Sequence, residues 1–208
     1  MRRRSAARVT CARRPCAHVG TVGLVSGLTE VTTERLVLRP AVAGDAGAVW
    51  SFRALDSVGL WLTRAPRSFE AFRTQFTEPE SLERTLVIEC DGEIIGDAMI
   101  WVQDAWSQAE VMAKAGGVQA SLGWVLHPDW TGQGYATEAV RELLRICFED
   151  LGLRRVTADC FAENEASWRL MERVGMRREG HTVRDSLHRS GEWLDGYAYA
   201  LLVDEWRS

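Results

Sequence analysis

The stretch from Trp130 to Leu151 constrains this chain more than any other. A glycine-rich turn, Thr131-Gly132-Gln133-Gly134-Tyr135-Ala136, opens directly into a helical pattern. Val140, Leu143, Leu144, Cys147, Phe148 and Leu151 recur at i, i+3, i+4, i+7, i+8 and i+11, an apolar stripe that needs another layer to cover it. Gly152 supplies the stop. The glycines let the backbone approach a ligand with no Cβ in the way, and the first helical turn offers unspent N–H groups and the positive end of a dipole. Taken alone, these residues fit an anion cradle, and a plain tight turn before a helix fits them as well.

The flanking segments supply the sheet. Thr33 to Arg39 alternates apolar and polar residues up to Pro40 and predicts a first strand. Helices fit Gly44 to Leu55 and Ser68 to Phe76. Thr85 to Cys90 and Glu93 to Val102 form a hairpin across Asp91-Gly92, a pair that favours a type I′ turn. Gln103 to Gly117 is polar and loop-like, and Ser121 to Leu126 is a strand. After the glycine turn and its helix come a buried strand, Val156 to Phe161, a helix, Asn164 to Val174, closed by Gly175, and a long hairpin, Arg177 to Ser186 with Glu192 to Val203. Strands and helices alternate in the middle and end in an antiparallel pair. That order predicts one α/β domain over residues 29–208, a mixed sheet with helices on its faces.

Residues 1–28 carry six arginines and no acid, so the remainder is more acidic than the formal charge of −4 suggests. The leader is expected to be a disordered tail or an over-extended start; Gly20, Gly23 and Gly27 leave its uncharged stretch a poor signal peptide. An acidic body argues against nucleic acid as a ligand of the folded domain. No segment reads as membrane-spanning. The five cysteines form neither a disulfide framework nor a zinc pattern, which points to a reducing, cytoplasmic setting and no metal.

Leu126-His127-Pro128-Asp129-Trp130 followed by Thr131 to Ala136 and Thr137-Glu138-Ala139 resembles the acetyl-CoA motif Q/R-x-x-G-x-G/A of the GNAT N-acetyltransferase superfamily. It looks closest to the RimJ/RimL-type branch, which acetylates ribosomal-protein N-termini. Thr131 stands where Gln or Arg is usual, so the resemblance rests on the backbone of Gln133, Gly134, Tyr135 and Ala136. A second segment, Asn164 to Met176, is similar to the family's N-x-x-S-x-x-x-x-E-K-x-G-F. The likeness runs from about Thr33 to Trp206. It implies a twisted, mostly antiparallel mixed sheet of about seven strands, splayed at the acetyl-CoA site.

The resemblance also implies direct transfer from acetyl-CoA to a primary amine, either a protein N-terminus or a small molecule such as an aminoglycoside or polyamine. A non-catalytic acyl-CoA-binding regulator is the alternative from another class, and a homodimer is compatible with the reading. The pantetheine arm is expected along Trp124, Val125 and Leu126, and the phosphates at Thr131 to Thr137. Asn164 is expected as a helix N-cap that also lies near the cofactor. Ser167 is either a capping partner or the general acid. Asp195 shares a strand face with Trp193, Tyr197 and Tyr199, a setting that can raise a carboxylate's pKa as suits a base; a hydrogen-bonded structural Asp is the other reading. Trp61, Trp101, Trp106 and Trp193 are candidates for an amine pocket, with ordinary packing as the alternative.

Overall fold

The computed structural model describes residues 27–207. The leader expected at 1–28 therefore lies outside the described residues except for Gly27 and Leu28, and Leu28 packs against the core.

Two short strands, β1 (Val31–Thr32) and β2 (Val37–Pro40), open the described chain. The single strand predicted from Thr33 to Arg39 is broken by a turn, in which the Thr33 N–H donates to the Leu36 carbonyl at 2.8 Å. The break has a long-range cause. The Thr33 hydroxyl and the Arg35 N–H both donate to Glu138, at 2.6 and 2.8 Å.

Helices α1 (Ala46–Arg53), α2 (Asp56–Gly59), α3 (Phe69–Phe76) and α4 (Pro79–Leu82) follow. Ser68 caps α3, its hydroxyl accepting from the Ala71 N–H at 3.3 Å. Strands β3 (Thr85–Cys90) and β4 (Glu93–Gln103) form the expected hairpin. Asp91 and Gly92 take positive φ values of 50° and 81°, as a type I′ turn requires. The chain continues through β5 (Gln119–Leu126), α5 (Tyr135–Arg145), β6 (Arg155–Phe161), α6 (Glu165–Arg173), β7 (Arg177–Leu187), β8 (Trp193–Leu202) and α7 (Val203–Trp206).

The sheet has eight strands, one more than expected, in the order β1-β2-β3-β4-β5-β6-β8-β7; the addition is the two-residue β1. Every neighbouring pair is antiparallel except β5–β6. One face buries Leu38, Leu86, Ile88, Ile100 and Leu122 with the apolar stripes of α5 and α6. The other buries Val87 and Val125 with Val49, Phe52, Phe72 and Phe76 of α1 and α3. Val140, Leu143, Leu144 and Cys147 are fully buried. Each large apolar side chain of this kind contributes roughly 1.5–3 kcal/mol, which anchors α5 and hence the turn that precedes it. No described helix is long and apolar enough to cross a membrane.

Candidate active site

The parallel pair β5–β6 is short. It covers Gln119 to Ser121 against Arg155 to Thr157 and then stops. Yet β5 stays paired with β4 through Leu126, and β6 with β8 through Phe161. The two halves of the sheet therefore part, and the β5 edge from Leu122 to Leu126 has no strand on its β6 side. A cavity of about 1730 Å³ occupies this region. It exceeds the roughly 300–1,000 Å³ of a single small-ligand pocket, so it has room for two ligands.

The cavity wall gathers most of the residues singled out from sequence. Trp124, Val125 and Leu126 line it from β5; Thr131, Gly132, Gly134, Tyr135, Ala136 and Thr137 from the glycine turn; Asn164 and Ser167 from α6. Gln133 does not line it. Its side-chain amide donates to the Asp129 carbonyl at 3.3 Å, and its own carbonyl accepts from Arg35 at 3.0 Å. The Thr131 hydroxyl is spent on the Pro128 carbonyl at 2.7 Å.

What the turn presents is therefore backbone. Gly132 and Gly134 hold φ values of 77° and 88°, which strain any residue bearing a Cβ. Gly134 is the N-cap of α5 and brings no side-chain acceptor, so the first N–H groups of the helix are left for a ligand. Arg35 braces the turn from outside: its guanidinium lies 4.3 Å from the Tyr135 ring centroid and pairs with Glu138. Partial burial works to raise the Glu138 pKa, but the bonds from Thr33 and Arg35 outweigh it and hold the carboxyl below its ordinary value. Tyr135 packs edge-on against Trp130, with centroids 5.6 Å apart.

On α6, the Asn164 side-chain oxygen accepts from the Ser167 N–H at 3.3 Å, the N-cap bond expected from sequence. Leu170, Met171 and Val174 are buried along the same stripe. Ser167 is half-buried against the cavity, and its hydroxyl has no protein partner among the described residues.

Asp195 takes the hydrogen-bonded role, the alternative to its reading as a base. Its carboxylate accepts from His181 at 2.7 Å and from the Arg184 N–H at 2.9 Å, and these bonds hold its pKa below the ordinary carboxylate value. Desolvation works the other way and is outweighed by the two donors from β7. It also lies outside the cavity lining. Of the four tryptophans, Trp61 and Trp101 line the cavity, whereas Trp106 is 91% exposed and Trp193 is 56% exposed, both away from it.

Three features of the site carry no motif. One is the Arg35–Glu138 pair. A second is Asp97 on β4, 2% exposed and held in a two-bond ion pair by Arg53 of α1. The third is Asp159 on β6, which lines the cavity; its only sequence signal is a charged residue between Ala158 and Cys160 in a strand read as buried. The tip of the last hairpin also contributes at a distance. The His188 Nε2–H donates to the Leu60 carbonyl at 3.0 Å, Arg189 bonds the Leu62 carbonyl, and His188 packs on Trp61 and Phe161. That tip fixes the α2–α3 segment over the cavity. Among the described residues, no group of three or more His, Cys, Asp or Glu is placed to hold a metal ion.

Comparison with known proteins agrees with this geometry. A family model described as an acetyltransferase (GNAT) domain matches residues 35–177. The uncharacterized N-acetyltransferase YnaD of Bacillus subtilis is 41% identical over 179 residues, 85% of this chain and 98% of that protein. The crystal structure of a GNAT-family acetyltransferase from Bacillus anthracis superposes with a TM-score of 0.71 at 27% identity, covering 85% of this chain and 99% of that one. A structure of Mycobacterium smegmatis RimJ in complex with CoA-disulfide superposes with a TM-score of 0.65 at 26% identity, over 83% and 84% of the two chains.

Proposed function

The chain belongs to the GNAT acetyltransferases, and from that premise we propose that it transfers an acetyl group from acetyl-CoA to a primary amine inside the cavity between β5 and β6. The observation that carries the proposal is the unpaired β5 edge ending beside the uncapped start of α5. An edge strand offers alternating N–H and C=O groups to an extended amide-bearing arm such as pantetheine. The helix start offers N–H groups and a positive dipole to a pyrophosphate.

With the thioester held there, a neutral amine attacks its carbonyl carbon. A C–N bond forms, the oxyanion draws on nearby N–H donors, and the C–S bond then breaks. One proton leaves the ammonium to a base before attack. The Ser167 hydroxyl gives its proton to the departing thiolate and regains one from the acylated nitrogen, so the net release is a single proton. The free hydroxyl of Ser167 on the cavity wall supports this role. Asn164 shapes the start of α6 and so sets where Ser167 stands.

The test is thiol release from acetyl-CoA in the presence of primary amines, with mass-spectrometric detection of the acetylated product, using peptide N-termini in one arm and small amines in the other. Product with a mass gain of one acetyl group is expected. Binding of acetyl-CoA with no product from any amine would sink the proposal.

A further inference from the structure

Asp159 stands beyond the last β5–β6 pair, Ser121 with Thr157, on the strand face it shares with Thr157 and Phe161. Among the described residues its carboxylate has no hydrogen bond and no ion pair, although it lines a cavity in which acids are otherwise mostly spent. Asp97 is held by Arg53, Glu138 by Arg35, and Glu142 and Glu149 by Arg145. Glu34 sits apart, in the turn before β2. The wall next to Asp159 is aromatic: Phe161 is two residues along the strand, and the Trp61 ring lies 6.2 Å from it, fixed by His188.

We infer that Asp159, Trp61 and Phe161 form the acceptor subsite, which takes a single primary ammonium joined to an apolar or aromatic group, and that Asp159 binds this ammonium and removes its proton. The inference rests on the acetyl-transfer reading. One free carboxylate beside π faces suits one cation, by ion pairing and cation–π attraction. The body of such a substrate meets Trp61, Phe161 and Met99 on the same wall. A polyamine or aminoglycoside carries further charges. On this wall they would find the neutralised Arg53–Asp97 pair and the cations Arg64, Arg169 and Arg173, which repel further positive charge, with no second unpaired carboxylate next to Asp159 among the described residues.

The chemistry of Asp159 agrees with its position. The Asp159 side chain is exposed to the open cavity, and partial desolvation by the surrounding wall shifts its pKa above the ordinary carboxylate value. The charged groups that line the cavity around it are the Arg53–Asp97 pair, Arg64, and Arg169 and Arg173 of α6; next to it on β6, the Cys160 thiol is pushed up to about 11, by burial first and by the Asp159 charge second. The proton moves from the ammonium nitrogen to an Asp159 oxygen and then to solvent through the open cavity. The nitrogen lone pair is thereby free to attack.

The full chain is assayed for kcat/KM with phenethylamine, with a peptide bearing an N-terminal Phe, and with spermidine. Either monoamine is expected to exceed spermidine by about tenfold or more, and the better of the two identifies the source of the amine. Asp159→Asn is expected to lower kcat/KM by about 100-fold or more and to remove the acidic limb of the pH profile, with acetyl-CoA affinity by calorimetry unchanged, which also reports that the variant is folded. Asp159→Glu is expected to restore part of the rate and the limb. Preference for spermidine, or an Asn variant that keeps its rate and its acidic limb, would overturn the subsite while leaving acetyl transfer intact. Failure of every amine with acetyl-CoA bound would instead remove the acetyl-transfer reading, and this inference with it.

Discussion

The guanidinium of Arg35, in the turn before β2, and the carboxylate of Glu138, in the first turn of α5, are paired at 2.7 Å. The same guanidinium bonds the Gln133 carbonyl at 3.0 Å and lies over Tyr135. Arg35 thus ties the glycine turn, at Gln133 and Tyr135, and the first turn of α5, at Glu138, to the first edge of the sheet. Arg35→Ala is expected to raise the KM for acetyl-CoA several-fold while leaving kcat nearly unchanged, because the cradle loosens and the reacting end does not. An equal fall in kcat with KM constant, read from steady-state kinetics, would refute that division.

The Arg53–Asp97 pair joins α1 to the middle of β4, with Asp97 almost fully buried. Removing one partner leaves the other charge with little water to solvate it. Asp97→Asn is therefore expected to cost about 3 kcal/mol in urea unfolding. The double variant Arg53→Met with Asp97→Val, which removes both charges, is expected to recover most of that loss. A double variant as unstable as the sum of its singles would show that the pair contributes more than mutual compensation.

Glu179 on β7 is bonded by Arg155 and Arg177, and these cations, with the Arg155 bonds first, hold its pKa down to about 2 from an ordinary value near 4.5. A depressed folded-state pKa stabilises the fold above the unfolded value and loses that contribution as pH falls toward 2. The stability of the wild type is thus expected to decline from about pH 4.5 downward more steeply than that of Glu179→Gln. The difference at neutral pH is expected to be about 1 kcal/mol, since the cluster is open to solvent and screened. Parallel curves for the two proteins from pH 7 to pH 2 would exclude the assignment.

What the chain discloses before folding is local. The α5 stripe, the Asp91-Gly92 turn and the Asn164 cap are each contained within a few residues, and each appears where its pattern places it. What it conceals is set by partners distant in sequence. Thr33 to Leu36 leaves its strand because Glu138, about a hundred residues on, accepts its donors. Asp159 and Asp195 both sit on strands with aromatic neighbours and look alike in sequence. The β7–β8 register, shifted between Thr182 and Ser186, brings His181 and Arg184 onto Asp195, whereas Asp159 on β6 has no such neighbouring donors among the described residues. Gly96 is similarly silent: a Cβ there would stand 2.5 Å from the Val125 carbonyl, so the glycine lets β4 pack close to the β5 segment that borders the cavity.

Ser167 offers the sharpest separation of chemistry from scaffold, because its backbone and its hydroxyl do different things. The N–H donates to the Asn164 side-chain oxygen, a bond that Ser167→Ala preserves. The hydroxyl faces the cavity with no protein partner, so deleting it uncovers no buried polar group and the fold is expected to hold within about 0.5 kcal/mol. If the hydroxyl protonates the thiolate, Ser167→Ala is expected to lower kcat by about 100-fold, with acetyl-CoA affinity unchanged. The deficit is expected to shrink with an acetyl thioester whose leaving thiol has a lower pKa, since a better leaving group needs less help. An Ala variant that keeps full turnover, or a deficit indifferent to the leaving thiol, would remove Ser167 from the proton path. The departing sulfur would then take its proton from water in the open cavity.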